Sequence, residues 1–248
     1  MKNKELDRIV PQSDTAVLFI HGIIGTPNYF NRFIPLIPED WTVCNLLLDG
    51  HGKGIDDFAK TSMDKWKAQV EEKVNQLCDM HENIILVGHS MGTLFAIQQG
   101  IKNPDKIKAL MLLAAPLRVG VKPLMFSNFA KVVFNHFEDD DHMALATVNT
   151  FGIDMDKRLW KYLGWIPRYL ELFSEIRKTR EILSELSVPC YAFQSKNDEA
   201  VSMTSCNDLN INENIHTTVL NDSTHYYYNN DDYNLIVNQL TSLVACYS

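Results

Sequence analysis

The chain has 248 residues, of which 46% are hydrophobic and 22% charged, and its formal net charge is −8. That length suits one domain with an insertion and a sizeable core, and the composition is that of an ordinary globule, not a disordered chain. An acidic balance without clustered Lys and Arg argues against nucleic acid, and no uncharged apolar run approaches the ~20 residues that cross a bilayer, so no stable membrane insertion is expected.

In chain order, the charged start Met1 to Arg8 leads into no apolar stretch before Pro11, which speaks against a secretory signal and for a cytoplasmic protein. Five widely spaced cysteines, Cys44, Cys78, Cys190, Cys206 and Cys246, with no C-x-x-C pair, fit reduced thiols and neither a disulfide framework nor a zinc site. Short β-rich apolar runs at 16–20, 41–47, 84–87, 109–113, 189–193 and 216–220 alternate with helical patterns, which predicts an α/β fold with a mostly parallel sheet. Met63, Trp66, Val70, Val74 and Leu77 fall at steps of three and four after Thr61 and Ser62, predicting a helix with one apolar face. Tyr233, Ile236, Leu240, Leu243 and Val244 predict a last one.

The alternation stops between Leu117 and about Arg180, where no convincing strand occurs. Large apolar groups are dense there: Phe126, Phe129, Val133, Phe134, Phe137, Phe151, Trp160, Trp165 and Phe173. The predicted organisation is a core of residues 1–116 and 181–248 with a helical cap, 117–180, inserted after the sixth strand and leaving the sheet at its carboxyl edge, where α/β folds place ligands. Any single ring among these is more simply explained by the cap's own small core. The acidic run Glu138 to Asp141 lacks the alternating ligands and glycine of a calcium loop and reads as a solvated turn.

Chemistry enters at Gly88-His89-Ser90-Met91-Gly92, a G-x-S-x-G pentapeptide between a strand-like run and a helical one. By itself the pattern also fits an ordinary helix N-cap. On a strand-to-helix elbow, however, it holds a serine hydroxyl clear of the sheet, and small residues are needed where the two backbones crowd, so Ser90 is the candidate nucleophile. A hydroxyl needs a base, and the base needs a carboxylate to orient it. Asp198 follows the run at 189–193 and His225 follows the run at 216–220, so both stand on turns at neighbouring strand ends, in the order Ser, Asp, His expected of this elbow. Glu199 and Asp222 are rival acids. Among the other histidines, His89 is expected to point away from Ser90, and His81, His136, His142 and His216 have no strand-end setting. The oxyanion needs fixed donors. One is expected from the Met91 amide and a second from the loop containing His21, Gly22 and Gly25, whose glycines permit a sharp reversal.

With these residues in view, the chain resembles α/β-hydrolases of the carboxylesterase and monoacylglycerol-lipase type over nearly its whole length, through His21-Gly22, Gly50-His51-Gly52, the elbow, and the turns at Asp198 and His225. The resemblance implies an α/β-hydrolase fold with Ser90 as nucleophile, Asp198 as acid, His225 as base, and the amides of Ile23 and Met91 as oxyanion hole. It implies hydrolysis of a small lipophilic carboxylic ester through an acyl-enzyme, with no metal and no organic cofactor. The acid turn, Gln194 to Asp198, lacks the more usual glycine. A thioesterase or acyltransferase shares this machinery, and a non-catalytic small-molecule receptor is the alternative from a different class. Substrate and oligomeric state are not written in these motifs.

Overall fold

The computed structural model describes residues 3–134, 138 and 141–248; Phe137, His136, Asp139 and Asp140 of the preceding section lie outside the described residues. Alternation along the central strands sends side chains to two faces. Ala16, Leu18 and Ile20 of β2 (Thr15–Ile20) enter one core, while Val17 and Phe19 enter the other. β1 (Leu6–Arg8) is an antiparallel edge beside β3 (Thr42–Asn45), which lies parallel to β2. β5 (Asn83–His89), β6 (Ile107–Leu113), β8 (Cys190–Ser195) and β9 (Ile215–Leu220) continue the parallel sheet, giving the order β1-β3-β2-β5-β6-β8-β9. A two-residue strand, β4 (Lys53–Gly54), precedes the short helix α1 (Ile55–Lys60) and lies outside this sheet.

α2 (Met63–Met80) opens where Ser62 Oγ accepts the Lys65 N–H, a side-chain cap that satisfies one orphan donor of the first turn. Its stripe of Met63, Trp66, Val70, Val74 and Leu77 is buried on one face of the sheet, alongside α3 (Met91–Lys102). Opposite them, Ile236, Leu240 and Leu243 of α8 (Asn230–Tyr247) cover the other face. All five cysteines are free thiols.

Between β6 and β8 come α4 (Pro123–Phe134), α5 (His142–Thr150), β7 (Ile153–Asp154), a 3-10 turn at Leu159–Trp165 and α6 (Ile166–Ile182). α7 (Ser205–Leu209) follows β8. The sequence pattern gives no strand in the inserted stretch, yet β7 pairs in parallel with β4. Just before it, the Gly152 N–H donates to the Ile24 carbonyl at 2.8 Å and the Gly152 carbonyl accepts from the Gly52 N–H at 2.5 Å. A Cβ at Gly152 would fall 2.0 Å from the Gly25 oxygen, so only glycine lets the segment approach that loop. Because the central strands are parallel, the turns after β2, β5, β6, β8 and β9 all emerge at one edge, beside this segment.

Candidate active site

Ser90 occupies the junction of β5 and α3 with φ 51° and ψ −122°, a conformation closed to most residues bearing a side chain and held only where surroundings over-determine it. Crowding imposes it. A Cβ at Gly92 would lie 2.0 Å from the Ile20 oxygen, and one at Gly88 2.8 Å from the Gly92 backbone. The Ser90 N–H donates to the Leu113 carbonyl at 2.8 Å, fastening the elbow to β6.

Met91 is the first residue of α3, and a first-turn amide has no intrahelical acceptor. Ile23 sits in the loop after β2, where successive carbonyls are pinned. Gly22 O accepts from the Gly25 N–H at 3.0 Å and from His21 Nδ1 at 2.9 Å. His21 is the Nδ1–H tautomer, since its Nε2 accepts the Leu48 N–H. Ile23 O lies 2.8 Å from His51 Nε2. The glycines here serve closeness, not a left-handed turn: a Cβ at Gly22 would meet Ser90 Cβ at 2.9 Å, one at Gly25 would meet Gly22 N at 3.1 Å, and the positive φ values in this region belong to Gly50 (77°) and Gly52 (73°).

At the neighbouring strand ends, Asp198 Oδ2 accepts from His225 Nδ1 at 2.8 Å, and its Oδ1 accepts the Ala200 and Val201 N–H groups at 2.8 and 2.7 Å. The carboxylate is thus fixed without the usual glycine in its turn. With its proton at Nδ1, the imidazole leaves Nε2 as a bare acceptor, which is the form a base requires. Ser90, Ile23 and His225 line one cavity of about 90 Å³ whose wall is otherwise mostly apolar, Val119, Leu172 and Phe173 among it. A larger open groove of about 480 Å³ between the 47–53 loop and α2 touches none of Ser90, Asp198 and His225.

A family model described as the alpha/beta hydrolase fold matches residues 15–235. The chain belongs to the α/β hydrolase family. It is 32% identical over 91 residues to a thermostable monoacylglycerol lipase of Bacillus sp. (strain H-257), a match covering 36% of each chain. To a pimeloyl-[acyl-carrier protein] methyl ester esterase of Neisseria meningitidis it is 26% identical over 124 residues, 48% of this chain and 36% of that one. The chain therefore spans about a third of the length of these relatives. In fold it resembles a structure from work on the metagenome-derived lipolytic enzymes LipS and LipT (TM-score 0.73, 17% identity, covering 98% of this chain and 97% of that one). It also resembles the monoacylglycerol lipase of Paleococcus ferrophilus (TM-score 0.71, 15% identity, 100% of both).

Two side chains of this α/β hydrolase do more than the sequence reading gave them. Glu199, a rival acid on sequence grounds, touches the histidine's backbone, not its ring: its Oε2 accepts the His225 N–H at 3.0 Å. His89 donates from Nε2 to the His225 carbonyl at 3.0 Å, and its ring lies 4.0 Å from that of Tyr29. His225 is gripped at N–H, carbonyl and ring. Adjacency to Asp198 and Ser90 was the one sequence signal for these two, and it cannot say which atom a side chain meets.

The other rivals are accounted for elsewhere. Asp222 is exposed, with its N–H donated to Asp232. His81 donates to the Ser13 carbonyl, His142 stacks 6.4 Å from Tyr227, and His216 packs 5.5 Å from Tyr191.

The buried histidines of this hydrolase differ in proton affinity. Burial pushes His21 and His89 well below the ordinary histidine value, helped by His51 and His225 respectively, and burial lowers His51 too. For His225 burial acts the same way, but the charge and hydrogen bond of Asp198, with the charge of Glu199, outweigh it and raise the pKa. Among the described residues no three His, Cys, Asp or Glu side chains form a metal-binding group, and no helix is long and apolar enough to cross a membrane.

Proposed function

We propose that this chain is a serine hydrolase of carboxylic esters that works through an acyl-enzyme. The observation that carries this reading is the Asp198–His225 hydrogen bond beside a cavity that also holds Ser90 at the tip of a strained turn. In the proposed mechanism His225 Nε2 takes the Ser90 proton as Oγ attacks the ester carbonyl, and the Ile23 and Met91 amides receive the oxyanion. His225, now an imidazolium steadied by Asp198, protonates the departing alcohol. It then takes a proton from the water that attacks the acyl-enzyme and gives it to Ser90 Oγ as the tetrahedral intermediate collapses, releasing the acid and restoring the hydroxyl. No step calls on a metal or organic cofactor.

Apolar walls favour a lipophilic acyl group, and about 90 Å³ bounds its length. At the ~10–15 Å³ needed by one water-sized group, the cavity takes about six to nine such groups, so a short acyl chain fits best. A p-nitrophenyl ester series is expected to peak at short chains. A fluorophosphonate should label Ser90 in the folded protein, as read by mass spectrometry; no adduct there favours the receptor reading. Ser90→Ala is expected to cut turnover by about a million-fold with the melting curve retained.

A further inference from the structure

Continuous with the cavity of Ser90 lies a smaller one of about 40 Å³ that shares Ile24, Met125, Tyr169, Ala200, His225 and Tyr226 with it but not Ser90, and adds Phe129, Thr147, Phe151 and Glu199. Its walls are aromatic. Phe129 and Phe151 stand 6.4 Å apart between ring centres, Phe151 and Tyr226 stand 5.9 Å apart at 78°, and Tyr169 joins them. Into this lining comes one carboxylate, Glu199, only 4% exposed. Its Oε2 accepts the His225 N–H. Among the described residues its other oxygen has no hydrogen-bond partner, and no Lys or Arg lies within ion-pair distance. That oxygen is not among the polar atoms sealed from solvent without a partner, so it faces the cavity it lines, where it is free to pair with a cation.

The direction of proton transfer tells which part of an ester belongs here. His225 protonates the departing alcohol, so the alcohol portion lies on the imidazole's side, and the acyl portion stays beside Ser90 and the Ile23 amide. The cavities divide the same way: Ser90 and Ile23 line only the larger, and His225 lines both. Resting on the ester-hydrolase reading, we infer that the smaller cavity is a leaving-group subsite that selects alcohols carrying a protonated amine, with Glu199 as its anion and the surrounding rings as its walls. A carboxylate among aromatic faces complements an ammonium twice, by a charge-assisted hydrogen bond and by cation–π attraction. A neutral hydroxyl satisfies the free oxygen but gains little from the rings. At ~10–15 Å³ per water-sized group the space admits about three heavy atoms, the size of an aminoethyl head.

The test compares propyl, 2-hydroxyethyl and 2-ammonioethyl esters of one acid, with wild type and Glu199→Gln, at a pH where the amine is protonated. The glutamine keeps an oxygen for the His225 N–H and removes the charge. Taking the ammonioethyl-to-propyl ratio of kcat/KM in each protein cancels the intrinsic reactivity of the esters. That ratio is expected to fall about 10–100-fold in Glu199→Gln, the worth of one hydrogen bond to a charged group. Phe151→Leu is expected to lower it by about two- to fivefold, through loss of one ring face. A second readout needs no turnover: titration of Ser90→Ala protein with ethanolammonium, followed by NMR, should saturate, and adding Glu199→Gln should abolish saturation. A ratio unmoved by Glu199→Gln, a hydroxyethyl ester preferred over the ammonioethyl one, or no saturable ethanolammonium binding overturns the subsite. Hydrolysis of the propyl ester and fluorophosphonate labelling of Ser90 report separately on the hydrolase reading. If they hold while the ratio stays flat, only the subsite falls.

Discussion

In the sheet and the helices against it, the large apolar side chains are out of water: Trp66, Phe19, Phe30 and Phe95 are at most 1% exposed. In the segment joining β6 to β8, Phe126 and Trp160 are each 67% exposed, Leu163 65% and Leu170 62%. Packing accounts for the identity of the first group, because each fills space that nothing else fills. It does not account for the second, whose apolar surface is kept while facing water. The segment thus has two sides: Phe151, Trp165, Leu172 and Ile176 join the core of Trp66 and Phe95, while its outer side packs on nothing among the described residues, and Gly152 ties it to Ile24 in the loop beside Ser90.

The contrast can be attacked with substitutions. Trp66→Ala, at a position with no exposure, is expected to cost about 3–5 kcal/mol in denaturant unfolding. Gly152→Ala tests the tie itself. Its added methyl must displace the Gly25 carbonyl and with it the Ile23 loop, so turnover is expected to fall about 100-fold, while the loss of stability stays within about 1–3 kcal/mol. A smaller loss of turnover than of stability would show the segment to be mere covering.

A pH scan separates stability from activity. The proposed base must be neutral, and the His225 pKa is raised, so kcat/KM is expected to drop as pH falls through a point above the ordinary value of about 6.5. His21, His51 and His89 have lowered pKa values, so the unfolded chain takes up protons first; their contribution to stability is present above about pH 6.5 and fades below it. His225 runs the other way, its contribution complete below about pH 6.5 and lost as pH rises through its folded value, but it is one group against three. On acidification activity is thus expected to decline before the melting temperature does. The smallest effect belongs to the exposed stripe: Leu163→Ser and Leu170→Ser should each change stability by no more than about 0.5 kcal/mol. A cost near that of Trp66→Ala would erase the comparison.

What could be read before folding follows the same line. The central strands and α2 were legible because burial on one or two faces forces a period of 2 or 3.6 on the residues themselves, as in Met63, Trp66, Val70, Val74 and Leu77. β1, β4 and β7 were not, since two or three residues carry no period and their pairing depends on a partner far along the chain. Asp198 and His225 could be placed because strand ends are predictable, and the structure joins them at 2.8 Å. The grips of Glu199 and His89 on the His225 backbone were out of reach, because each depends on which atom a rotamer presents. For Gly22 and Gly25 the residue type was right and the cause different: the approach of Ser90 and of the loop's own backbone.

The hydrogen bond from His89 to the His225 carbonyl reaches beyond this one contact. In the pentapeptide G-x-S-x-G the first x is written as a wildcard, yet here it links the elbow to a turn 136 positions further along. Randomising that position should produce variants whose serine is intact and whose His225, the proposed base, has drifted. Such variants would misleadingly be scored as defects in the elbow, when the injury is at the far end of the chain.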